Sequence, residues 1–151
     1  MMLVMSETAM RGSTVVPGLR YRDAHAAIEW LVKALGFTKQ AVYATETTVM
    51  HAQLTHGLGM VMLGSVKEDN PFHKLLVQPD EIGGRETTTV CLNVADCDAV
   101  YATAKAAGAE IIQELHSPEY GGKAFGCRDL EGHIWWVGSY DPWAEHDEVK
   151  A

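Results

Sequence analysis

Cysteine is scarce in this 151-residue chain, and the way it is distributed excludes one class of protein. The three cysteines are Cys91, Cys97 and Cys127, and none of them belongs to a CxxC pair or to a zinc-ligand spacing. A small disulfide scaffold has an even, dense set of cysteines, so this class is excluded. The three residues are typical of reduced thiols in a cytosolic protein.

Basic residues and long apolar runs are also scarce. Lys and Arg number 12 against 20 Asp and Glu, and the formal net charge is −8. Nucleic acids and anionic membranes are bound through basic surfaces, so we expect neither partner. No apolar run approaches the ~20 residues of a membrane-spanning helix, and residues 1–5 are too short for the core of a signal peptide. We therefore expect a cytoplasmic protein.

The chain contains two copies of one pattern, separated by about 73 residues. A glycine turn, an apolar strand and a Gly-Ser pair occur at residues 55–65 and again at residues 130–139. In each copy an aspartate, Asp23 or Asp96, stands where a helix begins. This repetition indicates an internal duplication, in which each copy is a strand, a helix and then three strands.

Apolar periodicity predicts the bounds of these elements. The first copy has a strand at 14–22, a helix at 24–35 and strands at 37–45, 48–55 and 59–63; the second has a strand at 87–94, a helix from Asp96 to Ala107 and strands at 110–115, 123–128 and 133–137. The predicted units are a mobile tail (1–13), a first module (14–65), a linker (66–86), a second module (87–140) and a solvated tail (141–151). A loop as long as this linker is often functional, for example as a lid over a pocket.

Several of these segments resemble one known family. The family is the vicinal oxygen chelate superfamily, which groups glyoxalase I, bleomycin-resistance proteins, fosfomycin-resistance enzymes and extradiol dioxygenases. The segments that resemble it are residues 20–30, Leu35-Gly36-Phe37, residues 92–96 and residues 123–139. The resemblance covers roughly residues 15–140. It implies an α+β fold, with two tandem βαβββ modules that form a curved mixed sheet cupping a pocket and with the helices outside. It also implies a homodimer, because family members often complete their pockets across two chains.

The resemblance bears on metal binding as well. Metal-dependent members have a His or Glu seven residues before the helix-capping Asp and a Glu four residues after the turn glycine. The matching positions here are Val16 and Met62 in the first copy and Thr89 and Trp136 in the second. None of them supplies the imidazole or carboxylate that such divalent ions need. The resemblance thus implies a site without metal or cofactor, as in bleomycin-resistance proteins.

We therefore expect a pocket for a small organic ligand that is partly aromatic or apolar, with an anionic group as one variant. Arg20 could bind a carboxylate or phosphate through two N–H groups, and Trp136 and Met62 could stack on a flat ligand. An ion pair for Arg20 and core packing for the other two are the structural alternatives. The complete set of candidate ligand-binding residues is Val16, Gly18, Arg20, His51, Met62, Thr89, Asn93, Tyr120 and Trp136.

Two other functions stay open from the sequence. A lyase, isomerase or dioxygenase would need a divalent ion held away from the usual positions, for instance by His51 with a carboxylate. No nucleophile–base pair and no phosphate-binding glycine loop is evident in the sequence. The third possibility is a regulatory or scaffold protein without a ligand of its own.

Overall fold

Two βαβββ modules follow one another in the computed structural model, which describes residues 11–145. The first consists of β1 (Gly18–Tyr21), α1 (Ala24–Leu35), β2 (Thr38–Ala44), β3 (Val49–His56) and β4 (Gly59–Ser65). The second consists of β5 (Val90–Asn93), α2 (Cys97–Ala106), β6 (Glu110–His116), β7 (Ala124–Arg128) and β8 (Ile134–Gly138). The prediction of an α+β fold with tandem βαβββ modules is confirmed.

Each module has its own four-stranded mixed sheet. The strand orders are β1-β4-β3-β2 and β5-β8-β7-β6. Strands β1 and β4 are parallel, as are β5 and β8, and the other neighbouring strands are antiparallel. The registers repeat as well, since Gly18 lies opposite Met62 in the first sheet and Cys91 lies opposite Trp136 in the second. The internal duplication read from the sequence therefore extends to the pairing of the strands.

The two helices begin in the same way. Asp23 and Asp96 each accept a hydrogen bond from a backbone N–H three residues ahead, at 3.1 Å and 3.0 Å. These contacts satisfy N–H groups that have no partner within the helix. Helix α1 ends at Gly36, whose φ of 83° lies in the left-handed region that glycine adopts easily.

Both modules contribute to a single hydrophobic core. Each sheet turns one face toward the helices, and the buried side chains alternate along the strands, as Leu19 and Tyr21 do in β1. The rings of Phe37 in the first module and Trp135 in the second lie 5.6 Å apart. Helices α1 and α2 pack together, and the Trp30 indole N–H donates to the carbonyl of Ala107 at 2.9 Å.

A turn at residues 129–133, called here the intermodule turn, adds polar contacts between the modules. The Tyr21 hydroxyl donates to Asp129 Oδ2 at 2.6 Å. The Glu131 carboxylate accepts the backbone N–H groups of Arg22 and Asp23 at 2.6 Å and 2.7 Å. The start of α1 is thus bound by the loop between β7 and β8, and this fixes how the modules sit on each other.

The first strand of each module is shorter than predicted. The bounds of 14–22 and 87–94 are wrong, because β1 covers Gly18–Tyr21 and β5 covers Val90–Asn93. Pro17 has no N–H to donate to the ladder, so strand β1 begins after it. The carbonyl of Pro17 still accepts a hydrogen bond from Met62 N at 2.9 Å. In the second module residues 87–89 are exposed and lie outside the ladder.

The linker and the described part of the N-terminal segment both contact the rest of the chain. The linker contains two short 3-10 turns, His73–Leu75 and Pro79–Ile82, and it buries Gln78 and Pro79. The predicted tails lie largely outside the described residues, and Ser13 N donates to Leu58 O at 2.8 Å. Among the helices of residues 11–145, none has the length and apolar character to cross a membrane.

Candidate functional site

Each sheet has a second face that points away from the shared core, and we call it the open face. Strand alternation puts Gly18, Arg20, His51 and Met62 on the open face of the first sheet. The same alternation puts Cys91, Asn93 and Trp136 on the open face of the second sheet. These residues are therefore turned away from the core and can contact a ligand.

The first open face combines methionine with polar groups. Met60 and Met62 are half-buried on β4, and Gly18 lies directly opposite Met62. The His51 Nε2 lies 2.9 Å from Gln53 Oε1, and the His51 ring stacks on Tyr43 with centroids 6.2 Å apart. His56 lies on the other side of the strand, in edge contact with the Phe37 ring at 5.4 Å.

The second open face carries a cluster of rings around Trp136. The indole N–H donates to the Tyr120 hydroxyl at 3.3 Å, and the His116 ring lies edge-on to the indole at 5.8 Å. Tyr120 in turn contacts Tyr140, with ring centroids 5.0 Å apart. Gly126 on the neighbouring strand lies directly opposite Trp136. These four side chains, His116, Tyr120, Trp136 and Tyr140, are called the ring cluster below.

Arg20 lies where the first open face meets the linker. Its Nε donates to His73 Nε2 at 2.9 Å, and within residues 11–145 it forms no ion pair with a carboxylate. Gly64 on the neighbouring strand makes room for the guanidinium, since a Cβ atom there would lie 3.0 Å from Nη1. A cavity of about 280 Å³ opens at this point, between the first open face and the linker.

Within one chain the nine candidate residues form two groups rather than one pocket. Val16, half-buried, and Thr89, exposed, precede their strands instead of lying in them. Among the described residues, no hydrogen bond or ring contact joins the candidates of the first module to those of the second. A second cavity, of about 620 Å³, lies between the linker and the intermodule turn, and its lining includes neither Met62 nor Trp136.

Three residues near these faces were not predicted from the sequence. His73 belongs to the linker, where no periodicity marks which side chains turn toward the sheet. His116 was missed because the predicted strand ended one residue before it. Tyr140 lies just beyond the last strand, where the sequence pattern gives no sign of its contact with Tyr120.

The four positions that match the family's metal ligands carry neither an imidazole nor a carboxylate. The positions that match the family's ligands carry Val16, Met62, Thr89 and Trp136, and the indole N–H of Trp136 is already used by Tyr120. Within residues 11–145 no three His, Cys, Asp or Glu side chains come together as a metal site.

His133, on the core side, is instead part of the junction between the modules. Its Nδ1 lies 2.7 Å from the Glu86 carboxylate, and its Nε2 lies 2.9 Å from the Arg20 carbonyl. Burial lowers the pKa of His133, but these two acceptors and the charge of Asp129 outweigh burial and raise the pKa above its usual 6.5.

Comparisons with known proteins agree with this architecture. The crystal structure of TioX from Micromonospora sp. ML1 is 34% identical and has a TM-score of 0.66, over 84% of this chain and 98% of that one. A glyoxalase/bleomycin resistance protein/dioxygenase from Nocardioides is 14% identical with a TM-score of 0.62, over 92% and 91%. A glyoxalase-related enzyme from Fulvimarina pelagi is 16% identical with a TM-score of 0.55, over 83% and 88%.

The sequence itself matches a family model over most of its length. The comparison with curated proteins finds no match. The family model that does match, over residues 13–137, is that of the Glyoxalase/Bleomycin resistance protein/Dioxygenase superfamily. The chain belongs to this superfamily.

Proposed function

We propose that the protein binds a small organic ligand with a flat aromatic or apolar surface, and that it does so without a metal. The observation that carries this proposal is the ring cluster on the second open face, which lies away from the core. Rings in the core stabilise the fold, whereas a cluster on a face that no other element of residues 11–145 covers has a surface left for a ligand.

The chemistry of the two open faces supports this class of ligand. Trp136 is held by its hydrogen bond to Tyr120 and by the edge of His116, so its ring is oriented before a ligand arrives. Such preorganisation reduces the entropy lost on binding. Met60 and Met62 on the other face are flexible and polarizable, which suits contact with flat ligands of varied shape. His51 and Asn93 would supply the polar contacts.

We propose further that a homodimer completes the cup. The candidate residues within strands lie on open sheet faces, and a single chain leaves Tyr43 and Met50 of the first module 60% and 45% exposed. A second copy that places its own open face opposite would enclose a ligand on both sides. Sedimentation should then give twice the mass of one chain, and a single-chain mass at micromolar concentration would contradict this part of the proposal. A reducing, cytoplasmic location would suit the three free thiols.

The binding proposal is tested by NMR with a library of planar aromatic fragments. The chain has four tryptophans, and their indole N–H signals can be assigned by substitution. We expect binding fragments to shift the signal of Trp136 and to leave those of the buried Trp30 and Trp135 in place. Trp136→Ala should abolish binding, while the control Trp143→Ala, at a residue that is 92% exposed, should not.

Two results would count against the binding proposal. One is that no fragment binds. The other is that fragments bind Trp136→Ala as tightly as they bind the unaltered protein.

A further inference from the structure

We propose that the cavity between the first open face and the linker, called here the linker cavity, binds a small oxyanion group, either a carboxylate or a phosphate. Its volume is about 280 Å³, and its lining includes Arg20, Lys67, His73 and Lys74. This site consists of the first module and the linker alone. It needs neither the ring cluster nor a second chain, so it does not depend on the proposed aromatic ligand.

The charge of the linker cavity is opposite to that of the protein. The chain carries a formal net charge of −8, whereas this lining has four Lys or Arg side chains and two Glu. Arg22 is neutralised by Asp80, with Nη1 and Oδ2 2.7 Å apart. Arg20, Lys67 and Lys74 form no ion pair in the described part of the chain. Three cations without a carboxylate partner around one cavity favour an anionic occupant.

The guanidinium of Arg20 is positioned for such an occupant. It is half-buried, and the contact of Nε with His73 leaves Nη1 and Nη2 for other acceptors. The Leu19 carbonyl lies 3.5 Å from Nη1, at the outer limit of a hydrogen bond. A planar guanidinium with free N–H groups matches the two oxygens of a carboxylate or phosphate.

The hydrogen bonds of His73 also leave a donor without an acceptor. Arg20 Nε–H points at Nε2 from 2.9 Å, and the backbone N–H of Lys67 points at Nδ1 from 3.2 Å. A neutral imidazole can accept at one nitrogen only, and a protonated one at neither. One N–H donor beside His73 therefore lacks an acceptor, and an oxyanion in the cavity would supply one.

Titration with inorganic phosphate at constant ionic strength tests this proposal, with the backbone NMR signals of Lys67 and His73 as the readout. We expect saturable shifts, with affinity reduced about tenfold or more by Arg20→Gln, since a hydrogen bond to a charged group is lost. Lys74→Gln, at an exposed residue, should weaken binding with no effect on folding. The control Lys33→Gln, at an exposed residue of α1, should change nothing.

A parallel titration with acetate distinguishes the two oxyanion classes. Saturable binding of either probe, reduced in the Arg20→Gln and Lys74→Gln variants, supports the site and identifies its preferred group. Shifts that never saturate, or equal affinity in both variants and the unaltered protein, would overturn it. Trp136→Ala should bind phosphate normally, so a failure of the aromatic-ligand proposal remains distinguishable from a failure of this one.

Discussion

The Tyr21 hydroxyl of the first module donates a hydrogen bond of 2.6 Å to Oδ2 of Asp129 in the second module. The same oxygen accepts the indole N–H of Trp135 at 3.1 Å, while Oδ1 accepts the backbone N–H groups of Glu131 and His133. Tyr21, Asp129 and Trp135 are all buried. One carboxylate thus shapes the intermodule turn, holds a core tryptophan and joins the modules.

Tyr21→Phe removes one donor from this carboxylate and keeps the ring in the core. Since a buried hydrogen bond to a charged group is involved, we expect the free energy of unfolding to fall by about 2 kcal/mol. Urea denaturation measures the change. Tyr43→Phe is the matched control, because Tyr43 is exposed and its substitution should change the free energy of unfolding little. Equal losses in the two variants would show that the contact between Tyr21 and Asp129 contributes nothing specific.

His133 should make stability depend on pH. Its pKa in the folded chain lies above the 6.5 expected when unfolded, because the stabilising hydrogen bonds to Glu86 and to the Arg20 carbonyl outweigh burial. The protonated form is therefore favoured by folding, and this contribution is complete below pH 6.5 and is lost as pH rises through the folded pKa.

The measurement is thermal unfolding of the unaltered protein and of His133→Gln between pH 6 and pH 8. We expect the stability difference between the two proteins to be larger at pH 6. A difference that grows toward pH 8 would reverse the sign of the argument and exclude an ion pair between His133 and Glu86.

The three cysteines should differ sharply in reactivity. Cys91 is exposed on the second open face, opposite Trp136. Cys127 is buried, and burial together with the nearby Asp129 raises its pKa to about 12; burial also raises the pKa of Cys97. The thiolate is the reactive form, so only Cys91 should react quickly with a disulfide reagent at pH 8.

Mass spectrometry after brief labelling measures how many cysteines have reacted and which ones. One label per native chain, located on Cys91, is the expected result, and unfolding in guanidinium should expose all three. A fragment that binds the ring cluster should slow the labelling of Cys91, which offers a second check on the location of the site. Fast labelling of Cys127 in the native protein would contradict the packing of β7.

Much of the fold could be predicted because it is encoded locally and twice. Asp23 and Asp96 begin their helices as predicted, and alternation along β1 correctly separates Arg20 from Tyr21. The equivalence of Met62 and Trp136, inferred from the duplication, is found in the strand registers. These features depend on the period of a helix or strand and on the order of elements, which short stretches of sequence specify.

The relations between distant segments could not be predicted in the same way. Tyr21 and Asp129 are 108 residues apart, and no local pattern indicates that a turn in one module accepts a hydrogen bond from a strand in the other. The hydrogen bond between Arg20 and His73 could not be predicted either, because the linker has no apolar periodicity to show which side chains turn toward the sheet. The ends of β1 and β5 were misjudged for a related reason, since pairing partners rather than residue propensities determine where a ladder ends.

The claim that the pocket works without a metal is tested most directly by the metal content of untagged protein, purified without chelators and measured by elemental mass spectrometry. The account predicts well under one zinc, nickel, manganese or iron per chain, with no rise in melting temperature when these ions are added. Near-stoichiometric metal, lost together with a catalytic activity on chelation, would contradict it. In that case a metal-dependent enzyme, with ligands away from Val16, Met62, Thr89 and Trp136, would replace the binding protein as the account of this chain.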